Sequence, residues 1–367
     1  MHSTALSIIS KLSTALQCHT RRNDVCSVFR PVSVCLSILS LSGSVYLLRC
    51  PSLALPPMLR LLPPIVVIGG CRLICEREGL RSIETLDSGF LLEMKEKRRG
   101  ASAMALSDTE LLIVGGCSDA GIHLRSIEKV DLARKESEIL GELDYDFSCV
   151  AFCPLQDGRL FIAGGYDGMS SIANVCVVTR DGKFEKFRPL PCDLKNSAAV
   201  QVEGRILLFG GWDGRRTLKS IIVYDVEKQS WEVQAGLCES IECHSATKVG
   251  SSVFLVGGFD SFSVTNKIYR YDLDSPNCEE LPVKLSIARE NHSTVAVQSV
   301  DGNKTLLVVI GGWDGKQALD SVEIFEVLEE APWLLKVSEE VKSIGEVRNK
   351  PVALALPTKS RNPFPNK

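Results

Sequence analysis

Short runs of branched apolar residues recur along this chain, and each ends in two adjacent glycines. ILLF before Gly210-Gly211 is the clearest case. The same arrangement precedes Gly69-Gly70 (IVVI), Gly115-Gly116 (LLIV), Gly164-Gly165 (LFIA), Gly257-Gly258 (VFLV) and Gly311-Gly312 (LVVI), at steps of 46 to 54 residues. Runs this short and this rich in β-branched residues predict buried strands rather than helices. An alternating segment follows each pair, as in SIETL, SIEKV, SIIVYD, KIYRYD and SVEIFE, and another precedes the apolar run, as in ASAMAL, CVAF, SAAVQV, SATKV and STVAV. Asp167-Gly168, Asp213-Gly214 and Asp314-Gly315 mark turns after three of the pairs. Each unit therefore predicts four short strands and no helix, the pattern of one propeller blade.

The units resemble the kelch repeat: an apolar run, Gly-Gly, a turn, then Tyr and Trp seven residues apart, as in Tyr224 and Trp231. The resemblance spans residues 61–357 and implies an all-β, six-bladed β-propeller. Only the fourth unit carries the full aromatic pair. The fifth has Cys278 where Trp is expected, the sixth has Phe325 and a displaced Trp333, and the first three put Leu86, Val130 and Val178 in the tyrosine place. The outer strands of those first blades are thus the least defined. Ring closure is predicted from the two ends. PIVVIGG has no repeat-like strand before it, and VRNKPVALALP has no Gly-Gly run after it. Residues 352–356 are expected to form the innermost strand of the first blade, beside residues 65–68, because an open ring would leave two unpaired edges.

Net charge is −3 over 367 residues, divided as +5 in residues 1–60 and −8 in the remainder. The propeller thus carries no basic footprint for nucleic acid. Fourteen cysteines are scattered without CxxC or metal spacing; they read as reduced thiols of a cytoplasmic or nuclear protein, several of them acting as small core hydrophobes. Residues 1–60 show no repeat feature and read as a disordered or targeting extension, with 358–367 as a tail. The segment 31–48 is uncharged and near the length of a membrane span, but serines dilute it, and a membrane association is not expected. No BTB or F-box module, companions that the resemblance suggests, is recognisable.

The chemistry points away from catalysis. Only five histidines exist, and no HExxH, GxSxG or triad pattern occurs. No cofactor or metal is expected. Some kelch-like propellers are enzymes, such as copper radical oxidases and sugar mutarotases, and that is the alternative of a different class. What the resemblance implies instead is binding of a protein or peptide at one face of the ring, in a substrate adaptor of a cullin-RING ubiquitin ligase or an actin-binding protein. Two kinds of position are expected to line that face. The residue after each glycine pair gives Cys71, Cys117, Tyr166, Trp212, Phe259 and Trp313, with aromatics in four successive units. Aromatics are favoured binding anchors. The stretch before each innermost strand gives Arg99, Ser148, Asn196, His244, Asn291, His292 and Asn349, and Arg98 with Arg99 is expected to make one side basic.

Overall fold

The computed structural model describes residues 38–41, 44–47, 62–73, 79–86, 89–118, 121–337 and 342–357. The chain divides into two units, residues 1–54 and 55–367. In the first, Ile38–Leu41 pairs antiparallel with Ser44–Leu47, in register from Ile38 with Leu47 to Leu41 with Ser44. Those strands fall inside the uncharged segment 31–48. The other expectations for residues 1–60 and the tail 358–367 lie outside the described residues.

The second unit holds six antiparallel sheets of four strands, the last with one further short strand at its edge, arranged as a six-bladed β-propeller. No α-helix occurs among the described residues. From blade 2 to blade 6 the innermost strands are Ser102–Ala105, Ala151–Pro154, Ala198–Val202, Ser245–Val249 and Ser293–Gln298. The innermost strand of blade 1 is Val352–Ala355, which pairs with Ile65–Ile68 in register from Val352 with Ile68 to Ala355 with Ile65. The C-terminal strand closes the ring as the two unmatched ends of the repeat array predict.

Apolar side chains pack between blades. The six hydrophobic clusters each join two neighbours around the ring; Phe161 and Val177 of blade 3, for instance, meet Ile206, Leu208 and Tyr224 of blade 4. This is why the second strands are buried on both faces and read as unbroken apolar runs. Where the aromatic pair is complete, Tyr224 opposes Trp231 across two strands, and both reach the preceding blade, Tyr224 Oη donating to the Arg188 carbonyl and Trp231 Nε1 to that of Pro189. In blade 5, Cys278 takes the Trp place and packs on Cys238, with Sγ atoms 2.9 Å apart. Blades 1 and 2, lacking the aromatics, have longer and bulged outer strands, Gly89–Arg98 and Glu136–Phe147. These run almost directly into the next blade, and Leu92 and Met94 of the first and Leu143 and Phe147 of the second pack into the clusters between blades.

The glycine pairs let the next blade approach. Gly210 has φ +54°, and a Cβ there would stand 2.2 Å from the Ile241 carbonyl oxygen as the chain leaves blade 4 for blade 5. That carbonyl accepts the Gly211 N–H at 2.8 Å. The glycine is therefore required by sterics and by backbone conformation together.

Candidate functional site

One end of the ring is built by the turns that follow the glycine pairs and by the segments that lead into the innermost strands. Past each pair, the ladder between first and second strands resumes for one residue. Arg99 bridges Cys117, Ser148 bridges Tyr166, Lys195 bridges Trp212, Glu242 bridges Phe259, Glu290 bridges Trp313 and Asn349 bridges Cys71. The aromatic positions of four successive blades thus fall at one level. Trp313 is only 8% exposed, and Cys71 and Cys117 are buried, while Tyr166, Trp212 and Phe259 are half-buried. Lys195 Nζ lies 4.7 Å from the Tyr166 ring centroid, and the His123 ring meets that ring edge-on with centroids 5.3 Å apart.

The turns beyond are rigid at their base. Asp167, Asp213, Asp260 and Asp314 each accept two backbone N–H groups of their own loop through Oδ1. Such Asx turns hold the loop tips outward. Met169 is 90% exposed and Phe262 92%. At the equivalent tips of the alternate blades stand Arg215 and Lys316, also exposed. On these four blades the tips therefore alternate apolar and cationic side chains.

The mouth of the channel is fixed by backbone. Gly100, Cys149, Asn196, Cys243, Asn291 and Lys350 all have φ between 54° and 59°. Each donates its N–H to the carbonyl of the one before, and Gly100 donates to Lys350, so six hydrogen bonds of 2.8–3.0 Å close into a circle. Behind them the innermost strands enclose a cavity of about 690 Å³ lined by small side chains, such as Ala198, Ala246 and Ala353.

The structure separates the expected pre-strand residues into three layers. Arg99, Ser148 and Asn349 belong to the bridging layer, and Asn196 and Asn291 to the hydrogen-bonded circle. His244 and His292 come one residue later and turn inward, only 6% and 7% exposed. His244 lies behind Gly258, and neither of its ring nitrogens has a partner; His292 Nε2 meets Ser245 Oγ at 2.9 Å. Burial pushes the His244 imidazole down to about 3, and burial also holds His292 well below the usual value. Lys195, Glu242, Glu290 and Lys350 share the face and are not legible as a set in the sequence. Counting back three residues from the start of each innermost strand finds the bridging layer, and two finds the circle. That register shows only once the strand starts are known.

Arg98 is a correction. It is fully buried, with Nη2 3.0 Å from Glu128 Oε2, and adds no charge to the face. The basic groups of the mouth are Arg99, Lys195 and Lys350 instead. Glu242 holds Asn196 Nδ2 at 2.8 Å and Thr217 Oγ1 at 3.1 Å, and burial raises the Glu290 carboxyl. Among the described residues, no group of three or more His, Cys, Asp or Glu side chains is placed to hold a metal ion.

Comparison with known proteins gives the architecture a family. The model of the KLHDC2/KLHL20/DRC7 Kelch-repeats domain matches residues 151–344, more than half of the chain. Kelch-like protein 35 of Mus musculus is 25% identical over 215 residues, covering 58% of this chain and 36% of that protein. Kelch repeat and BTB domain-containing protein 12 of Homo sapiens is 26% identical over 176 residues, covering 42% and 27%. Beta-scruin of Limulus polyphemus is 22% identical over 221 residues, covering 53% and 24%. The match thus spans about a third or less of these relatives' own lengths. With six glycine-paired blades and this matched repeat model, the chain belongs to the kelch-repeat family.

Proposed function

We propose that the protein is a non-enzymatic scaffold that binds a partner protein or peptide at the face carrying Tyr166, Trp212, Phe259 and Trp313. The observation that carries the reading is the set of aromatics at one level on four successive blades, below tips that leave Met169 and Phe262 exposed. Apolar side chains held out on rigid turns gain most when a partner covers them. The cationic tips Arg215 and Lys316 between them favour a partner with acidic residues flanking its apolar anchors. A finer reading is substrate recognition for a cullin-RING ubiquitin ligase. It is supported by relatives whose names carry a BTB domain beside their kelch repeats.

Affinity capture from the native cell, with wild type beside a Trp212→Ala/Phe259→Ala variant of unchanged melting temperature, tests the scaffold reading. Partners lost from the variant support it; an identical set places binding elsewhere. A cullin recovered with wild type and variant alike supports the ligase reading, and its absence from both counts against it.

A further inference from the structure

Four thiols stand around the channel mouth among the cations Arg99, Lys195 and Lys350. Blades 1 and 2 have Cys71 and Cys117 where the later blades have aromatics, and the circle holds Cys149 and Cys243. Arg99 Nη2 reaches Cys117 Sγ at 3.5 Å, and Lys350 Nζ stands 3.0 Å from Cys149 Sγ. The second contact skips a blade, because Gly100 lies between Lys350 and Cys149 in the circle. A Cβ on Gly100 would come within 3.2 Å of Cys149 Sγ and 3.7 Å of Lys350 Cδ. A side chain there would crowd the sulfur, while the lysine stem passes at ordinary contact distance. The Ser148 hydroxyl donates to the same sulfur at 3.6 Å. Cys149 is half-buried as a residue and lines the channel cavity, so it borders space that a small molecule can enter.

We propose that Cys149 is a modification site for small hydroperoxides, a thiolate held by Lys350 at the channel mouth and converted there to a sulfenic acid. The surroundings separate it from its neighbours. Burial alone would raise the Cys149 thiol, but the Lys350 ammonium and its hydrogen bond, the Ser148 hydroxyl and Lys195 together hold it below the usual thiol range. Burial pushes Cys153 up to about 12 and Cys176 up to about 11, and burial with the Glu290 and Glu242 carboxylates raises Cys243 well above normal. The thiolate is the nucleophile, so these thiols react slowly while Cys149 is poised.

The reaction balances with the hydroperoxide as oxidant. Cys149 Sγ attacks the terminal oxygen, the S–O bond forms and the O–O bond breaks. The sulfur gives up two electrons, and the departing alkoxide or hydroxide takes a proton from the Lys350 ammonium. The products are the sulfenic acid and an alcohol or water, and solvent returns the proton to Lys350. This inference stands on the Cys149–Lys350–Gly100 geometry and is independent of the partner reading.

The full chain, treated at pH 7 with limiting hydrogen peroxide and the sulfenic-acid trap dimedone, is mapped by peptide mass spectrometry. Cys149 is expected to be trapped ahead of Cys192 and Cys243. Lys350→Asn, which suits the positive φ, should slow trapping at Cys149 about tenfold, and Lys350→Arg should preserve it. Equal trapping of Cys149 and Cys192, or a rate unchanged in folded Lys350→Asn, overturns the proposal. If that variant does not fold, wild type decides. Alkylation of Cys149 by iodoacetamide should level off below about pH 8.5, the ordinary thiol value, and a rate still climbing through that pH overturns it.

Discussion

Arg348 Nε donates to Glu84 Oε1 at 2.7 Å across 264 residues of sequence, with both side chains almost wholly buried. The same arginine caps the Gly69 carbonyl and reaches Ser82 Oγ, so one side chain ties the end of the chain to the first blade. The arrangement recurs as Arg98 with Glu128 and Arg289 with Glu323. At the equivalent places the other three blades use apolar pairs instead: Phe147 with Cys176, Leu194 with Ile222, and Ile241 with Tyr269. Half of the ring is latched by ion pairs and half by hydrocarbon, and the ionic half includes the closing blade.

Cutting one side of the closing latch should be costly. Arg348→Leu leaves Glu84 buried without its partner and is expected to lower stability by about 3–5 kcal/mol. Adding Glu84→Ile, which copies the Leu194–Ile222 pair of blade 4, should recover most of that loss. Chemical denaturation of the two variants checks it; a double variant no more stable than Arg348→Leu contradicts the equivalence of the two kinds of latch.

Acid should weaken the fold through the buried histidines. An unfolded histidine takes up a proton near pH 6.5, whereas the folded His244 imidazole does so only at about 3 and His292 likewise well below normal. Between those values the unfolded chain binds more protons, so stability is full above pH 6.5 and falls as pH drops toward 3. Each neutral histidine contributes a slope of up to about 1.4 kcal/mol per pH unit in that window. His244→Asn/His292→Asn should show a shallower loss between pH 6.5 and 4 in urea melts; an unchanged slope removes the histidines as its cause.

Two glycines of nearly the same φ separate sterics from conformation. A Cβ on Gly250, at φ +58°, would meet nothing within 4 Å, whereas one on Gly210, at φ +54°, would meet the Ile241 carbonyl oxygen at 2.2 Å. Gly250→Ala is expected to cost about 1–2 kcal/mol for the left-handed backbone alone. Gly210→Ala should cost well beyond that, because the blade 4–5 junction must move apart. Equal melting temperatures for the two variants would show that the junction yields freely.

Removal of residues 347–367 takes away Val352–Ala355 and Arg348 at once. Blade 1 then loses its innermost strand, and Ile65–Ile68 becomes an open apolar edge. A lower melting temperature and concentration-dependent association in light scattering are the expected outcomes. A truncated protein that melts with the full chain would show that the ring does not depend on this strand.

The strand content, the number of blades and the place of closure follow from local pattern. Buried strands must be apolar, glycine must stand where another backbone crosses, and an unmatched strand at each end must find its complement. The positions of Tyr166, Trp212, Phe259 and Trp313 on one face follow from that repetition. The tertiary structure alone decides what depends on neighbouring blades. Arg98 and Arg99 are adjacent and chemically alike, yet one lies in the core with Glu128 and the other stands at the mouth. His244 and His292 turn inward because each stands one residue past the hydrogen-bonded circle. Cys149, Asn196, Cys243, Asn291 and Lys350 share a left-handed conformation that no common residue type announces. Local preference opposes it in residues other than glycine, and it is held because each amide finds its acceptor on the preceding blade of a closed ring.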